Sequence, residues 1–229
     1  MVIGHDAIVP VINAKNPMIG EISLRGISAG DLAKLMSDPD KMNWTSIMSD
    51  GQKASLKIYM IDNDYVKSVI ADFTKTDPSS INVIGLASSA DVISAVQNDL
   101  YAIGFCKLKD IRKADTDELI ENIALLPVDK NSNGRIDNFE NIYKSPDTFS
   151  RGVWIGKYPK ELCGSIYAIS SVKPEDKNAL AFLEWLITDG SQLTTMNGYN
   201  GLTSSERLAG MNLLTKSETS ASDITGTAT

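Results

Sequence analysis

Twelve residues, DKNSNGRIDNFE, run from Asp129 to Glu140, and six of them are Asp, Asn or Glu. Asp129, Asn131, Asn133, Asp137 and Glu140 occupy positions 1, 3, 5, 9 and 12 of this stretch. Gly134 is at position 6 and Arg135 at position 7, where only the backbone carbonyl is needed. The spacing matches D-x-[DN]-x-[DN]-G-x5-E, the pattern of a calcium-holding loop. Calcium is a hard cation that takes six to eight oxygens at roughly 2.3–2.6 Å. Short Asp and Asn side chains at alternate positions converge on one point, and Gly134 permits a sharp turn at positive φ. Glu140 is long enough to close the cage with both oxygens. Ile136, at position 8, is expected to point away from the ion into the core. The alternative is a turn built from Asx residues and glycine. An Asn-Gly pair alone would satisfy that reading, and the terminal Glu at the required spacing favours the cation. Three carboxylates and two neutral Asn ligands imply modest affinity, suited to millimolar calcium outside the cytosol.

The segment entering the loop, IALLPV (123–128), places Pro127 two residues before Asp129. Proline breaks an incoming helix, so this segment reads as a strand, which departs from the helix-loop-helix of an EF-hand. The expectation is an EF-hand-like loop inserted in another fold. The elements around it alternate. AIVPVIN (7–13), LKIYMI (56–61), INVIGL (81–86) and YAIGFCKL (101–108) are apolar and rich in β-branched residues, as strands are. Between them lie helical segments. GISAGDLAKLMSDPD has Ser28 and Asp31 near capping-box spacing and Pro39 as its stop. DNDYVKSVIADFTKTDP carries Val66, Val69, Ile70 and Phe73 at helical spacing behind Asp62 or Asn63 as cap. SSADVISAVQND opens on Ser88 or Ser89. Past the loop, FSRGVWIGKYP reads as a glycine-punctuated loop or hairpin and SIYAISSV (165–172) as a strand. Pro174 is expected to open one long helix with Leu180, Leu183, Trp185, Leu186 and Leu193 on its apolar side. The alternation predicts an α/β fold with a mainly parallel sheet flanked by helices, spanning 1–214. The Ser/Thr-rich stretch 215–229 is expected to be disordered.

Bulk properties narrow the function. The chain has 229 residues, is 42% hydrophobic, and carries a formal charge of −7. An acidic chain with no basic stripe is not built for nucleic acid. No apolar run approaches the ~20 residues that span a bilayer, and the first residues lack the pattern of a signal peptide. Cys106 and Cys163 sit in apolar contexts; two thiols neither prove nor exclude a disulfide, and burial statistics favour free buried thiols. His5 is the sole histidine, and no nucleophile motif, catalytic zinc spacing or phosphate-binding glycine loop accompanies it. The expectation is therefore a protein without enzymatic activity.

Several segments together resemble the phosphate-type solute-binding proteins of ABC importers, in the type II periplasmic-binding-protein superfamily. HDAIVPVINAKNP resembles that family's strand leaving the hinge, and GISAGDLAKLMSDPDKMNW its helix ending near a Trp, here Trp44. YAIGF resembles its Ala-Ile-Gly-aromatic strand. KYPKELCGSIYAI followed by AFLEWLITDGSQLTTMNGYNGL resembles its Tyr-Pro strand and C-terminal helix, with Gly190, Gln192, Gly198 and Tyr199. The match runs over about 5–205. The resemblance implies a non-enzymatic extracytoplasmic binding protein with a small anion or other small solute as ligand. A membrane transporter or envelope protein would be its partner.

Two departures qualify that inheritance. Nothing here corresponds to the family's opening segment, which builds much of lobe one and part of the anion site. The expectation is a truncated chain, or a lineage that has lost half of its cleft. The family also carries Ser-Gly-Thr where LKIYMI meets the next helix, and this sequence has IDNDYV. Asp62 and Asp64 oppose an anion at a helix N-terminus. The candidate ligand-binding residues are Asn63, Asp64, Ser88 and Ser89, with helix capping as the alternative role and a cationic or amine ligand as the reading the carboxylates favour. The candidate metal ligands are Asp129, Asn131, Asn133, Arg135 (through its carbonyl), Asp137 and Glu140. A ligand-free scaffold or interaction module of an envelope assembly is the second functional reading.

Overall fold

The structure, a computed structural model, describes residues 1–38, 42–48, 54–113, 116, 118–172 and 174–215. Pro39 and 216–229, the body of the expected tail, lie outside them.

One strand organises the molecule. β1 (Val2–Asn13) is twelve residues long and buried almost continuously from Asp6 onward. Its second half pairs antiparallel with β4 (Ile103–Lys107) and β5 (Ile123–Leu125). Its first half pairs antiparallel with β6 (Cys163–Tyr167). β2 (Ile58–Ile61) lies parallel to both β4 and β3 (Ile84–Leu86), giving the order β3-β2-β4-β1-β5 with β6 added to β1. The sheet is thus mixed. Its parallel part, β2–β4, is the part joined by helical crossovers, as parallel pairing requires.

Local chemistry accounts for the helices. α1 (Ile19–Arg25) follows a turn in which Asn16 Oδ1 accepts the Met18 N–H. α2 (Ala29–Ser37) starts on a complete capping box: Ser28 Oγ accepts the Asp31 N–H, and the Asp31 carboxylate accepts the Ser28 N–H. α3 (Asp64–Thr74) is capped by Asn63 and buries Val66, Val69, Ile70 and Phe73. α4 (Ser89–Asn98) is capped by Ser88 and lays Val92 and Val96 on β4 at Gly104. A Cβ at Gly104 would stand 2.7 Å from Val96 Cγ2, so this close helix–sheet approach requires glycine.

The region after the acidic loop differs from the sequence expectation. The first part of the stretch read as a glycine-punctuated loop or hairpin, 149–154, belongs to α5 (Pro146–Trp154), with Ser145 as cap and Pro146 in its first turn, while 155–159 lie outside any helix or strand. Phe149 anchors α5, buried between the rings of Tyr143 and Tyr158. The strand expected over 165–172 ends at Tyr167. The long helix expected from Pro174 begins instead at Lys177 behind the Asp176 cap and is divided into α6 (Lys177–Ile187) and α7 (Ser191–Met196). The break falls where Gly190 packs against the Trp185 ring, too close to admit a Cβ. On that helix pair only Ile187 is a buried hydrophobic among the described residues, while Trp185 and Leu193 of the expected apolar side are exposed. α8 (Ser204–Thr215), absent from the sequence reading, packs on α6.

Candidate functional site

The acidic loop is fixed to the body at three points. The Asp129 N–H donates to Ile27 O (3.0 Å), and the Ile27 N–H donates to Pro127 O (2.8 Å). The Ile136 N–H donates to Leu24 O (2.7 Å), and the Ile136 side chain lies against Gly26, whose φ of +70° suits glycine. Ile136 thus turns toward the body, as position 8 of the spacing implies.

Inside the loop, both terminal carboxylates are 2% exposed. Asp129 accepts the N–H groups of Asn133 (3.2 Å) and Gly134 (2.7 Å). Glu140 accepts those of Asn131 (3.0 Å) and Asp137 (3.2 Å). Asp137 accepts both Asn side-chain amides, from Asn131 at 3.0 Å and Asn133 at 2.8 Å, and pairs with Arg135 Nε at 2.9 Å. The Asn131 and Asn133 amides, followed by Arg135, hold the Asp137 carboxyl below the usual range. The Asn131 and Asn133 oxygens accept the next N–H groups along the turn. Gly134 has φ +83°, and its Cβ direction is open.

The donor set contains only oxygens, which fits a hard cation. The geometry is that of a hydrogen-bonded turn: among the described residues, no three His, Cys, Asp or Glu side chains gather closely enough to hold a metal ion. Asp129 and Glu140 nevertheless have no ion-pair partner among the described residues, although buried carboxylates are ordinarily paired or metal-bound.

The second candidate region lies at the carboxyl ends of the parallel strands, where open α/β sheets place ligands. Asn63 and Asp64 follow β2; Ser88 and Ser89 follow β3. Asn63 Oδ1 accepts the N–H groups of Tyr65 and Val66, and Ser88 Oγ accepts that of Asp91. Asp62, Asn63 and Asp64 are exposed, and the Asp62 N–H donates to Leu86 O, which brings the two strand ends together. Ser89, buried, donates to Asp110 Oδ2 at 2.5 Å, and Asp110 pairs with Lys109 at 2.8 Å. The four residues thus frame the ends of β2 and β3, three of them holding helix starts or the half-buried Asp110 carboxylate.

A neighbouring polar cluster was not singled out from the sequence. Asp6, buried on β1, accepts the Ala7 N–H at 2.9 Å and lies 3.9 Å from Lys107 Nζ. Burial is the main influence on Asp6 and raises its pKa. The Tyr65 phenol, raised first by burial and then by Asp6, stands over Gly164, where no Cβ would fit. A charged residue inside an apolar strand, HDAIVPV, was the available signal. His5 bridges Ser165 Oγ (3.3 Å) and Glu206 (3.0 Å), tying β1 to β6 and α8. Cys106 and Cys163 are free thiols, each pushed up to about 12 by burial.

No protein-family profile matches the sequence, and no curated protein matches it. Solved structures do match in fold. A possible phosphate binding protein from Planctomyces limnophilus superimposes with TM-score 0.64 at 13% identity, over 93% of this chain and 70% of that one. A putative phosphate ABC transporter substrate-binding protein from Clostridium perfringens, with bound phosphate, gives 0.58 at 13% identity over 89% and 71%. An ABC-type phosphate transport receptor from Vibrio cholerae gives 0.58 at 12% identity over 88% and 72%. The fold is therefore α/β of the periplasmic-binding-protein kind, with its sheet flanked by helices.

Proposed function

We propose that this chain is a non-enzymatic solute-binding-type module of the extracytoplasmic space, in the phosphate-type branch of its fold. The supporting observation is the superposition of 93% of the chain on a possible phosphate binding protein. The ligand seat would lie at the strand ends framed by Asn63, Asp64, Ser88 and Ser89, next to Asp6 and Lys107. A transporter or envelope protein would be the partner, with no role for nucleic acid. The described helices include none long and apolar enough to cross a membrane. The whole of 1–214 would form the α/β unit.

A calcium ion held by Asp129, Asn131, Asn133, the Arg135 carbonyl, Asp137 and Glu140 would complete the module. Two buried carboxylates with no ion-pair partner support it. The ion would displace the Asn amides from Asp137, whose oxygens would turn to the metal. Its role would be to tie the strand ending near Val128 to the segment before α5, adding binding energy to folding.

One observation favours the second reading, a scaffold without a small ligand. The N–H groups at the starts of α3 and α4 are taken by Asn63 and Ser88, and Asp62, Asp64 and Asp91 surround them with negative charge. An anion would meet repulsion there, not a cradle. Titration calorimetry against phosphate, sulfate and molybdate, with a polyamine as the cationic control, separates the readings. Saturable anion binding supports the phosphate-type module. Binding of the polyamine alone keeps the solute-binding role and reverses the charge of its ligand. Silence throughout leaves the scaffold.

A further inference from the structure

His5 is held from three sides. Its N–H donates to Asn200 O, and its carbonyl accepts the Asn200 N–H, each at 2.9 Å. Its ring lies between β6 and α8, with Nδ1 3.3 Å from Ser165 Oγ and Nε2 3.0 Å from Glu206 Oε2. The same Glu206 oxygen accepts the Thr203 N–H at 2.9 Å and the Thr203 hydroxyl at 2.8 Å. Thr203 Oγ1 in turn accepts the Glu206 N–H at 3.3 Å. That reciprocal pair is a capping box at the start of α8, so the imidazole bonds to the group that opens the helix.

Little burial fastens α8. Its one buried residue is Gly210, so close to α6 that a Cβ there would stand 2.9 Å from Ile187 Cδ1. Leu208 and Leu213 are exposed. An element with so few buried apolar groups belongs to the low-stability end of a fold, where one polar tie is a large share of what holds it.

Both charge states of the ring fit this pocket of donors and acceptors. With the ring neutral, Nε2–H donates to Glu206 and Nδ1 accepts the Ser165 hydroxyl. With the ring protonated, Nδ1–H donates to Ser165 Oγ and the Glu206 contact becomes a charge-assisted pair, the stronger kind. Partial burial pushes the Glu206 carboxyl up, but the Thr203 N–H and His5 outweigh it and hold the carboxyl below the usual range. The other neighbours are neutral or face elsewhere. Cys163 and Tyr167 of β6 pair with Ala7 and Val2, and α7, which also packs on β1, has no titratable residue. Asp6 points to the opposite face of β1, Arg207 on α8 is exposed, and the N-terminal amine donates to Ala168 O.

We infer that the His5–Glu206 contact is a pH-sensitive latch on α8, engaged as an ion pair in acid and slackened to a hydrogen bond from a neutral ring as pH rises. Histidine is the side chain whose ordinary charge change falls between pH 5 and 8, and His5 is the only one in the chain. Because the docked helix favours the charged ring, docking is strongest below the titration of the ring and weakens as pH rises through it. Slackening would loosen α8 from β1 and from Ile187 of α6. The inference does not depend on what the strand-end site binds.

Hydrogen exchange of the full chain tests it, with each rate corrected for its intrinsic pH dependence and α8 compared with α4. The two side chains are 22% and 31% exposed, and such a pair is worth up to about 1 kcal/mol, or about fivefold. Protection of α8 relative to α4 should therefore be up to about fivefold higher near pH 5.5 than near pH 8. His5→Gln keeps a donor toward Glu206 without the charge and should remove the difference. Proton NMR gives a second readout, since the sole histidine needs no assignment: its midpoint should fall in Glu206→Gln. Equal relative protection at the two pH values, a difference that persists in His5→Gln, or a histidine midpoint unmoved by Glu206→Gln would each overturn the inference.

Discussion

Glu140 closes the acidic loop by accepting the Asn131 N–H at 3.0 Å, and it is as deeply buried as Asp129 at the loop's other end. Two carboxylates face one short turn, and the partners that hold them are N–H groups of that same turn. The turn is closed by its own hydrogen bonds and is rich in oxygens, so the proposed calcium ion would tighten it.

Calcium should therefore raise the melting temperature of the protein and EDTA should lower it. Ligand at about 100 times its Kd stabilises by about 2.7 kcal/mol, which is on the order of 5–10 °C for a domain of this size. Glu140→Gln keeps the side-chain acceptor for the Asn131 N–H and removes the charge, so it should abolish the calcium response. Differential scanning fluorimetry reads both, and a flat response of the wild-type protein to calcium would remove the ion.

Gly104→Ala should destabilise the protein by about 1–3 kcal/mol, the cost of overpacking a closed core. The new methyl would meet Val96 at 2.7 Å and Val92 at 2.9 Å. Urea denaturation gives the value, and an unchanged midpoint would mean that α4 does not sit on β4 as described.

Ser28→Ala removes the cap of α2 and should cost about 1 kcal/mol. The same box governs an acid response. Burial alone would raise the Asp31 pKa, but the Arg25 pair at 3.0 Å and the Ser28 donors outweigh it and hold the carboxyl below the usual carboxylate range. A depressed folded pKa contributes stability that is present above the unfolded value and lost as pH falls through the folded one. Stability should thus decline below about pH 4, and Asp31→Asn should flatten that part of the curve.

Asp6 carries the opposite sign. Burial raises its folded pKa, so its ionisation opposes folding above that pKa and the penalty vanishes below the unfolded value. Asp6→Asn retains the oxygen that accepts the Ala7 N–H and should be more stable than wild type at pH 7, with the advantage gone near pH 3. Denaturant midpoints at the two pH values check it; a loss of stability at pH 7 would show that the Lys107 contact outweighs burial.

Much of the architecture was legible because its signals are local. Strands β2 to β4 fall within short apolar runs of the sequence, and the second half of β1 is another. The starts of α2, α3 and α4 are side-chain oxygens two or three residues ahead of the N–H groups they accept. The twelve-residue spacing of the acidic loop and the turn at Gly134 are likewise properties of one segment. The candidate residues Asn63, Ser88 and Ser89 could be placed at strand ends for the same reason.

What the linear sequence left undecided depends on residues far apart along it. The direction of β1 against β4, β5 and β6 follows from pairings across nearly the whole chain, and no periodicity encodes them. α5 looked like a loop because its glycine is read as a breaker, whereas burial of Phe149 between Tyr143 and Tyr158 holds it helical. The break between α6 and α7 is set by the Trp185 ring meeting Gly190. The acid in β1, Asp6, acquires its neighbours Lys107 and Tyr65 only when three elements meet. Local hydrogen-bond chemistry is written in spacing of a few residues; pairing, burial and charge proximity are collective, and tertiary structure alone decides them.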